Sequence, residues 1–236
     1  MARPYVNSNR PDLIVAVGKG TRPTFPLIHD WDSVSLPARI LTAAEQPSLS
    51  HLEAFEATPA ATTIRFTFCL LRQALHAVRS GQVSTQDLRI LFNSVDFRIA
   101  NLLCFSGTAP VWHMLLATAQ LFLACNIRDT HIECLIPGIL GRRLMRYLQG
   151  RMEKILRQEA YWCGTLWSLL TCFISSPSNS EQWSFFRDAL SITIETMGLT
   201  EATQLRAISQ RFIWDDERSE RALQANMPIF FPHVDR

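Results

Sequence analysis

The sequence predicts an all-α protein, a single irregular helical domain of about seven to eight helices behind a proline-rich irregular N-terminal leader. Three observations predict it. From Ala60 onward, apolar residues recur at steps of three and four, the spacing that lines one face of a helix. Residues that start and stop helices punctuate these runs, among them Gly81, Ser84 with Asp87, Pro110 and Gly198. No segment sustains the alternation of a strand or carries hairpin turn chemistry.

Residues 1–59 hold seven of the 12 prolines and show no helical period, so they read as a leader whose Phe25, Leu27, Ile28 and Trp31 pack on the main body. Its Gly18-Lys19-Gly20-Thr21 run lacks the upstream glycine of a phosphate loop, because Leu13 stands there, and reads as a turn. The helical domain is expected over 60–226, with 227–236 as a C-terminal tail.

Ile64, Phe68, Leu71, Leu75 and Val78 line the first helix, and Gly81 suits its left-handed stop. Ser84 and Asp87 form a capping-box pattern for the second, which buries Leu88, Leu91, Val95, Ile99 and Leu102. The third follows Thr108, with Pro110 tolerated in its first turn, and buries Trp112, Leu115, Ala119 and Phe122.

A fourth begins after Pro137 and turns Leu140, Leu144, Leu148 and Ile155 inward, with Gly150 placed to kink it. Tyr161 to Ile174 is apolar nearly all round, the mark of a central helix. Ser178 with Glu181 gives another capping box ahead of Trp183, Phe186, Leu190, Ile194 and Met197. Leu205, Ile208 and Phe212 mark a last clear helix. After the acidic run Asp215-Asp216-Glu217, read as a solvated helix start, a short helix continues to Asn226, and Pro228 to Pro232 form an apolar tail.

At 236 residues, 47% hydrophobic and 19% charged, the chain can bury a substantial core, which excludes general disorder. A net charge of +2 is too small to imply nucleic-acid binding by bulk electrostatics. The charge is uneven, with 12 basic against 6 acidic residues between 61 and 180. All but two of the 23 basic residues, Lys19 and Lys154, are arginine, so no lysine-rich import run is present.

The six cysteines lie in or beside apolar stretches, and nothing secretory accompanies them, which predicts a reducing intracellular setting. The Leu13 to Val17 run is too short for a signal-peptide core. Ala100 to Ile127 and Ala160 to Ser180 lack charged residues, yet the first is cut at Gly107 to Pro110 and the second is apolar only from Tyr161 to Ile174. Both read as buried core helices, and no membrane association is expected.

Three candidate groups follow from residue type and spacing. Cys125, His131 and Cys134 come nearest to a metal cluster, but zinc sites want ligand pairs two to four residues apart, so structural cysteines are expected and no metal or cofactor. No metalloprotease spacing or nucleophile elbow occurs, and no catalytic residue is assigned. Arg142, Arg143, Arg146, Arg151, Lys154 and Arg157 give the fourth helix a basic face able to meet a partner, a phosphate or the acidic C-terminal segment. Trp112, His113, Trp162 and Trp167 are the candidate lining of an apolar pocket.

The order of the aromatic motifs adds a further expectation. Gln120-Leu121-Phe122-Leu123 followed by Asn126-Ile127-Arg128, then Leu166-Trp167, a polar loop, Phe185-Phe186 and Phe212-Ile213-Trp214-Asp215, resembles the regulatory region of fungal-specific transcription factors. The likeness extends over about residues 60–225. It implies an all-helical, non-enzymatic domain acting in transcriptional control, dimerisation or effector response in a fungal nucleus, with transcriptional proteins or a homo- or heterodimer partner. That family's DNA-binding zinc cluster uses six closely spaced cysteines, whereas the six here are scattered, so sequence-specific DNA binding is not expected of this chain alone. A small-molecule module and a helical secondary-metabolism enzyme are the alternatives.

Overall fold

A computed structural model describes residues 59–104, 110–129, 131 and 134–231, with isolated positions before residue 59. The expected packing of Phe25, Leu27, Ile28 and Trp31, the break at Gly107 and Thr108, and the end of the tail lie outside the described residues. Among the described residues there are nine α-helices and no strand. They are α1 (Pro59–Ser80), α2 (Thr85–Leu103), α3 (Pro110–Phe122), α4 (Leu135–Leu148), α5 (Met152–Leu156), α6 (Trp162–Ile174), α7 (Glu181–Thr196), α8 (Ala202–Gln210) and α9 (Arg218–Phe230). The all-α architecture is as the periodicity predicts.

The ninth helix arises because the expected fourth one is two. Gly150 sits at φ +74°, a left-handed conformation that costs a residue with a Cβ. The chain therefore turns at Gly150 instead of kinking, and α4 and α5 are separate.

Two helices form the centre. Every residue of α3 from Val111 to Phe122 is buried except His113, and α6 is buried from Gly164 to Phe173. They pack on each other; α1, α2 and α4 lie against α3, and α7, α8 and α9 lie against α6. The run Pro110–Ile127 is long and apolar enough to cross a membrane, but 89% of it is buried inside the protein, as its role in the core requires. Gly164 permits close approach of α6 to α3: a Cβ there would stand 3.2 Å from Leu115 Cδ2.

Trp167 is the hub of this centre. It is 1% exposed, stacks on Phe212 at 5.5 Å between ring centroids, and meets Phe68 edge-on at 5.6 Å and Phe122 at 6.4 Å. Its indole N–H donates to the Ile213 carbonyl at 2.9 Å. Arg72 on α1, itself buried, donates through Nε to the Phe212 carbonyl at 2.7 Å and through Nη2 to the Arg211 carbonyl at 2.8 Å. The chain leaves the α8 helix at residue 211, and these two side chains donate to the carbonyls of Arg211, Phe212 and Ile213.

α3 ends in a π-helical turn, Leu123–Ile127, closed by the Arg128 N–H donating to Leu123 O at 2.9 Å. This turn docks on the start of α9: the Asn126 amide donates to Ser219 Oγ at 3.4 Å and the Arg218 guanidinium to the Cys125 carbonyl. Beside it, Arg128 pairs with the buried Asp96 at 2.5 Å.

Three further local expectations need correction. The N-cap of α7 is Ser180, whose Oγ accepts from the Trp183 N–H at 3.1 Å, not Ser178. Both serines can cap; the left-handed turn at Asn179, φ +64°, delivers the second one. Asp215 is not part of a solvated run: it is 1% exposed, pairs with Arg79, and its Oδ1 accepts from the N–H groups of Glu217 and Arg218 at 3.0 Å each, so it caps α9. Only Asp216, 75% exposed, and Glu217 fit the solvated reading. Finally, α9 runs through Pro228 to Phe230, past the expected boundary at residue 226. Phe230 meets Phe173 edge-on at 5.2 Å and Phe231 is buried, which offsets the one backbone donor that Pro228 lacks.

Trp167→Ala should lower the unfolding free energy by about 3–5 kcal/mol, the cost of truncating a buried aromatic, measured by urea denaturation; a variant that melts like the parent would show the hub to be misassigned. Asp215→Ala should cost about 3 kcal/mol or more as the loss of a buried ion-pair partner and cap, whereas Asp216→Ala should stay within about 0.5 kcal/mol. Equal losses in the two variants, read by the same denaturation, would contradict the capping role.

Candidate functional site

The four residues expected to share an apolar pocket do not converge. Trp167 is spent in the core on Phe212 and Ile213. Trp162, half-buried at the other end of α6, donates its indole N–H to the Leu156 carbonyl at 2.7 Å and so ties α6 to α5. Trp112 is buried in α3. His113, its neighbour in sequence, points away because adjacent residues on a helix lie about 100° apart, and among the described residues it is the one of the four that lines the cleft between α3 and α4.

That cleft lies between α3 and α4 and has a volume of about 270 Å³. Ala117 from α3 and Leu140 and Leu144 from α4 make its apolar wall. His113 and Tyr147 stack at 4.5 Å, nearly parallel, and form an aromatic side. Arg143 and Arg146 complete the lining, so two members of the expected basic face meet one member of the expected pocket. Among the described residues, no carboxylate belongs to this lining.

Helix geometry explains the grouping. Leu140, Leu144 and Tyr147 step by four and three along α4, with Arg143 one turn before Tyr147 and beside Leu144. Arg143 is therefore half-buried at the boundary, while Arg142 and Arg146 are exposed. Tyr147 is held in place: its hydroxyl donates to the Pro110 carbonyl at 3.1 Å and Arg151 lies over its ring at 4.7 Å. Arg151 also donates to the Tyr147 carbonyl at 2.9 Å.

The basic face is consequently not one stripe. Arg142, Arg143 and Arg146 belong to α4, while Arg151, Lys154 and Arg157 follow the turn at Gly150. Arg157 pairs with Glu153, and both are well exposed. The acidic C-terminal segment is met by other arginines, since Arg79 pairs with Asp215 and Asp216, Arg206 with Glu220, and Arg221 with Glu217.

Electrostatics in the cleft follow from burial beside positive charge. Burial first, and then the charges of Arg143 and Arg151, hold His113 below the ordinary histidine value. Burial likewise pulls the Arg143 guanidinium down from its ordinary value, though arginine keeps its charge in proteins. Burial pushes the Tyr147 phenol up, against the opposing charge of Arg151, so the phenol remains a donor. The site thus brings together two arginine side chains, an imidazole of lowered pKa and an apolar wall.

Among the described residues, no group of three or more His, Cys, Asp or Glu side chains is placed to hold a metal. Cys125 is buried, but Cys134 and His131 are exposed, which corrects the expectation that Cys134 packs as a small hydrophobe. Burial pushes the Cys125 thiol up to about 11 and raises Cys172 too, so neither is a thiolate near neutral pH. Sequence reasoning missed Tyr147, although its spacing of three from Leu144 placed it on the inward side of α4.

A histidine whose folded pKa lies below its unfolded value leaves the unfolded state with more bound protons. Its contribution is complete above the unfolded value of 6.5 and is lost as pH falls from there through the lower folded value. The stability difference between the parent and His113→Gln, followed by thermal melting across that range, should therefore shrink toward acid; a pH-independent difference would contradict it. No protein-family model, curated protein or solved structure matches this chain.

Proposed function

We propose that this chain is a non-enzymatic regulatory domain that acts in transcriptional control in the nucleus, engaging transcriptional proteins or a dimer partner without contacting DNA through a zinc cluster of its own. The observation that supports this reading is the mutual packing of its diagnostic motifs. Phe122, Trp167 and Phe212 come from three separated stretches, yet they share one ring cluster, with the Trp167 N–H on the Ile213 carbonyl and Asp215 capping the next helix. Motifs that resemble the fungal regulatory region are thus coupled parts of one core.

A second reading, a small-molecule binding module, draws on the α3–α4 cleft. Its lining combines arginines with an aromatic side: Tyr147 already donates to Pro110, and burial, with the charges of Arg143 and Arg151 after it, holds the His113 imidazole below its ordinary pKa. The two readings are compatible, because a regulatory domain can respond to an effector.

Fused to an unrelated DNA-binding module, the chain should alter transcription of a reporter carrying that module's site, and Trp167→Ala should abolish the effect. A reporter indistinguishable from that driven by the DNA-binding module alone, together with no transcriptional component in a nuclear pull-down, would refute the regulatory reading.

A further inference from the structure

We propose that two copies of this chain pair through the exposed faces of α4 and α7, the basic face of α4 in one copy lying on the acidic face of α7 in the other. This deepens the regulatory reading by naming a partner and rests on that reading for its purpose. The contact itself is argued from surface chemistry, so each can fail alone.

The two faces carry opposite charge. α4 contains three arginines and no carboxylate. Two of them, Arg142 and Arg146, are exposed and lie one turn apart on one side of the helix. Leu135, two turns before Arg142 on that side, is 72% exposed. On α7, Glu181, Asp188 and Glu195 recur every two turns, so they run as a line down one exposed side. Ile192, 54% exposed, stands one turn from Asp188 and one from Glu195. Arg187, the one cation of α7, pairs with Asp188 and lies over the Trp183 ring, which leaves the line acidic on balance.

The faces also adjoin. The Gln182 amide of α7 donates to the Gly138 carbonyl of α4 at 3.3 Å, so the two helices sit side by side with the basic strip next to the acidic one. A two-fold axis along the seam between them exchanges the sides: α4 of each copy meets α7 of the other, and every contact is made twice. An axis across the seam sets arginine on arginine and carboxylate on carboxylate, which is repulsive. Exposed ion pairs hold weakly by themselves, and burial of Leu135 and Ile192 adds apolar area to the contact. Nucleic acid would meet the arginines but also the carboxylates beside them, and an acidic protein would leave the α7 face unmatched. A second copy matches both.

The test follows self-association of the whole chain by sedimentation equilibrium. The chain should show a monomer–dimer equilibrium that shifts toward monomer as salt is raised. Arg142→Glu with Arg146→Glu gives a chain acidic on both faces, and Asp188→Lys with Glu195→Lys gives one basic on both. Each should self-associate about tenfold or more weakly than the parent, because like charges then face each other. Mixed in equal amounts, the two reversed chains should form a heterodimer, since α4 and α7 of each now meet the opposite sign. Ile192→Ser should weaken the parent dimer without changing its charge.

A chain that stays monomeric at about 100 µM would overturn the pairing and leave the regulatory reading to its reporter test. Assembly beyond the dimer, a dimer that both reversed chains retain, or a mixture of the folded reversed chains that stays monomeric would overturn it too. Thermal melts establish folding of each variant. Should a reversed chain unfold, the single substitutions Arg146→Glu and Glu195→Lys, both at exposed positions, replace the pairs in the same mixture.

Discussion

The fold depends on supplying donors to a short stretch of buried main chain. Between α8 and α9 the backbone has left one helix and not yet entered the next, so the carbonyls of Arg211, Phe212 and Ile213 lack helical partners. Arg72 and Trp167 provide them from α1 and α6. A buried guanidinium is costly in isolation, and burial does lower the pKa of Arg72, yet the carbonyl dipoles gathered at the end of α8 are the environment that favours a cation. The same stretch carries Phe212 into the Trp167 ring stack and Asp215 into its cap, so hydrogen bonding and apolar packing converge on five residues.

The cleft occupies a different part of the molecule. Its wall belongs to α3, which the core holds rigidly, and to α4, which packs on α3 and on α7. Gln182 of α7 reaches the Gly138 carbonyl at 3.3 Å, and a Cβ on Gly141 would collide with its side-chain oxygen. α4 is therefore seated close to α7 through its glycine-bearing face, which leaves the face with Arg143 and Tyr147 toward the cleft and the start of α3. Rigid seating of that kind is what a preformed binding site needs.

Much of this was legible in the sequence because helical period reports burial directly. The stepping of Ile64 to Val78 and the unbroken apolar character of Tyr161 to Ile174 identified a flanking and a central helix without reference to anything distant. What was not legible depended on contacts between remote positions. Asp215 looks like its neighbour Asp216 until Arg79 and the α9 N-terminus are brought to it. Pro228 reads as a helix end until Phe173 appears beside Phe230. Trp112, Trp162 and Trp167 are equally plausible pocket residues by type, and only the helix-to-helix geometry assigns two to the core and the third to a strut between α5 and α6. The Ser178 and Ser180 choice turned on one left-handed residue, Asn179, that no short-range pattern marks.

The bond from Arg72 to Phe212 spans 140 residues of sequence. Chains emerge from the ribosome amino end first, at about 5–20 residues per second, so α1 exists for several seconds before its acceptors are made. Until those carbonyls are made, Arg72 lacks the acceptors that it meets in the folded protein. The contact between α1 and the segment that joins α8 to α9 can therefore form only after that segment has been synthesised.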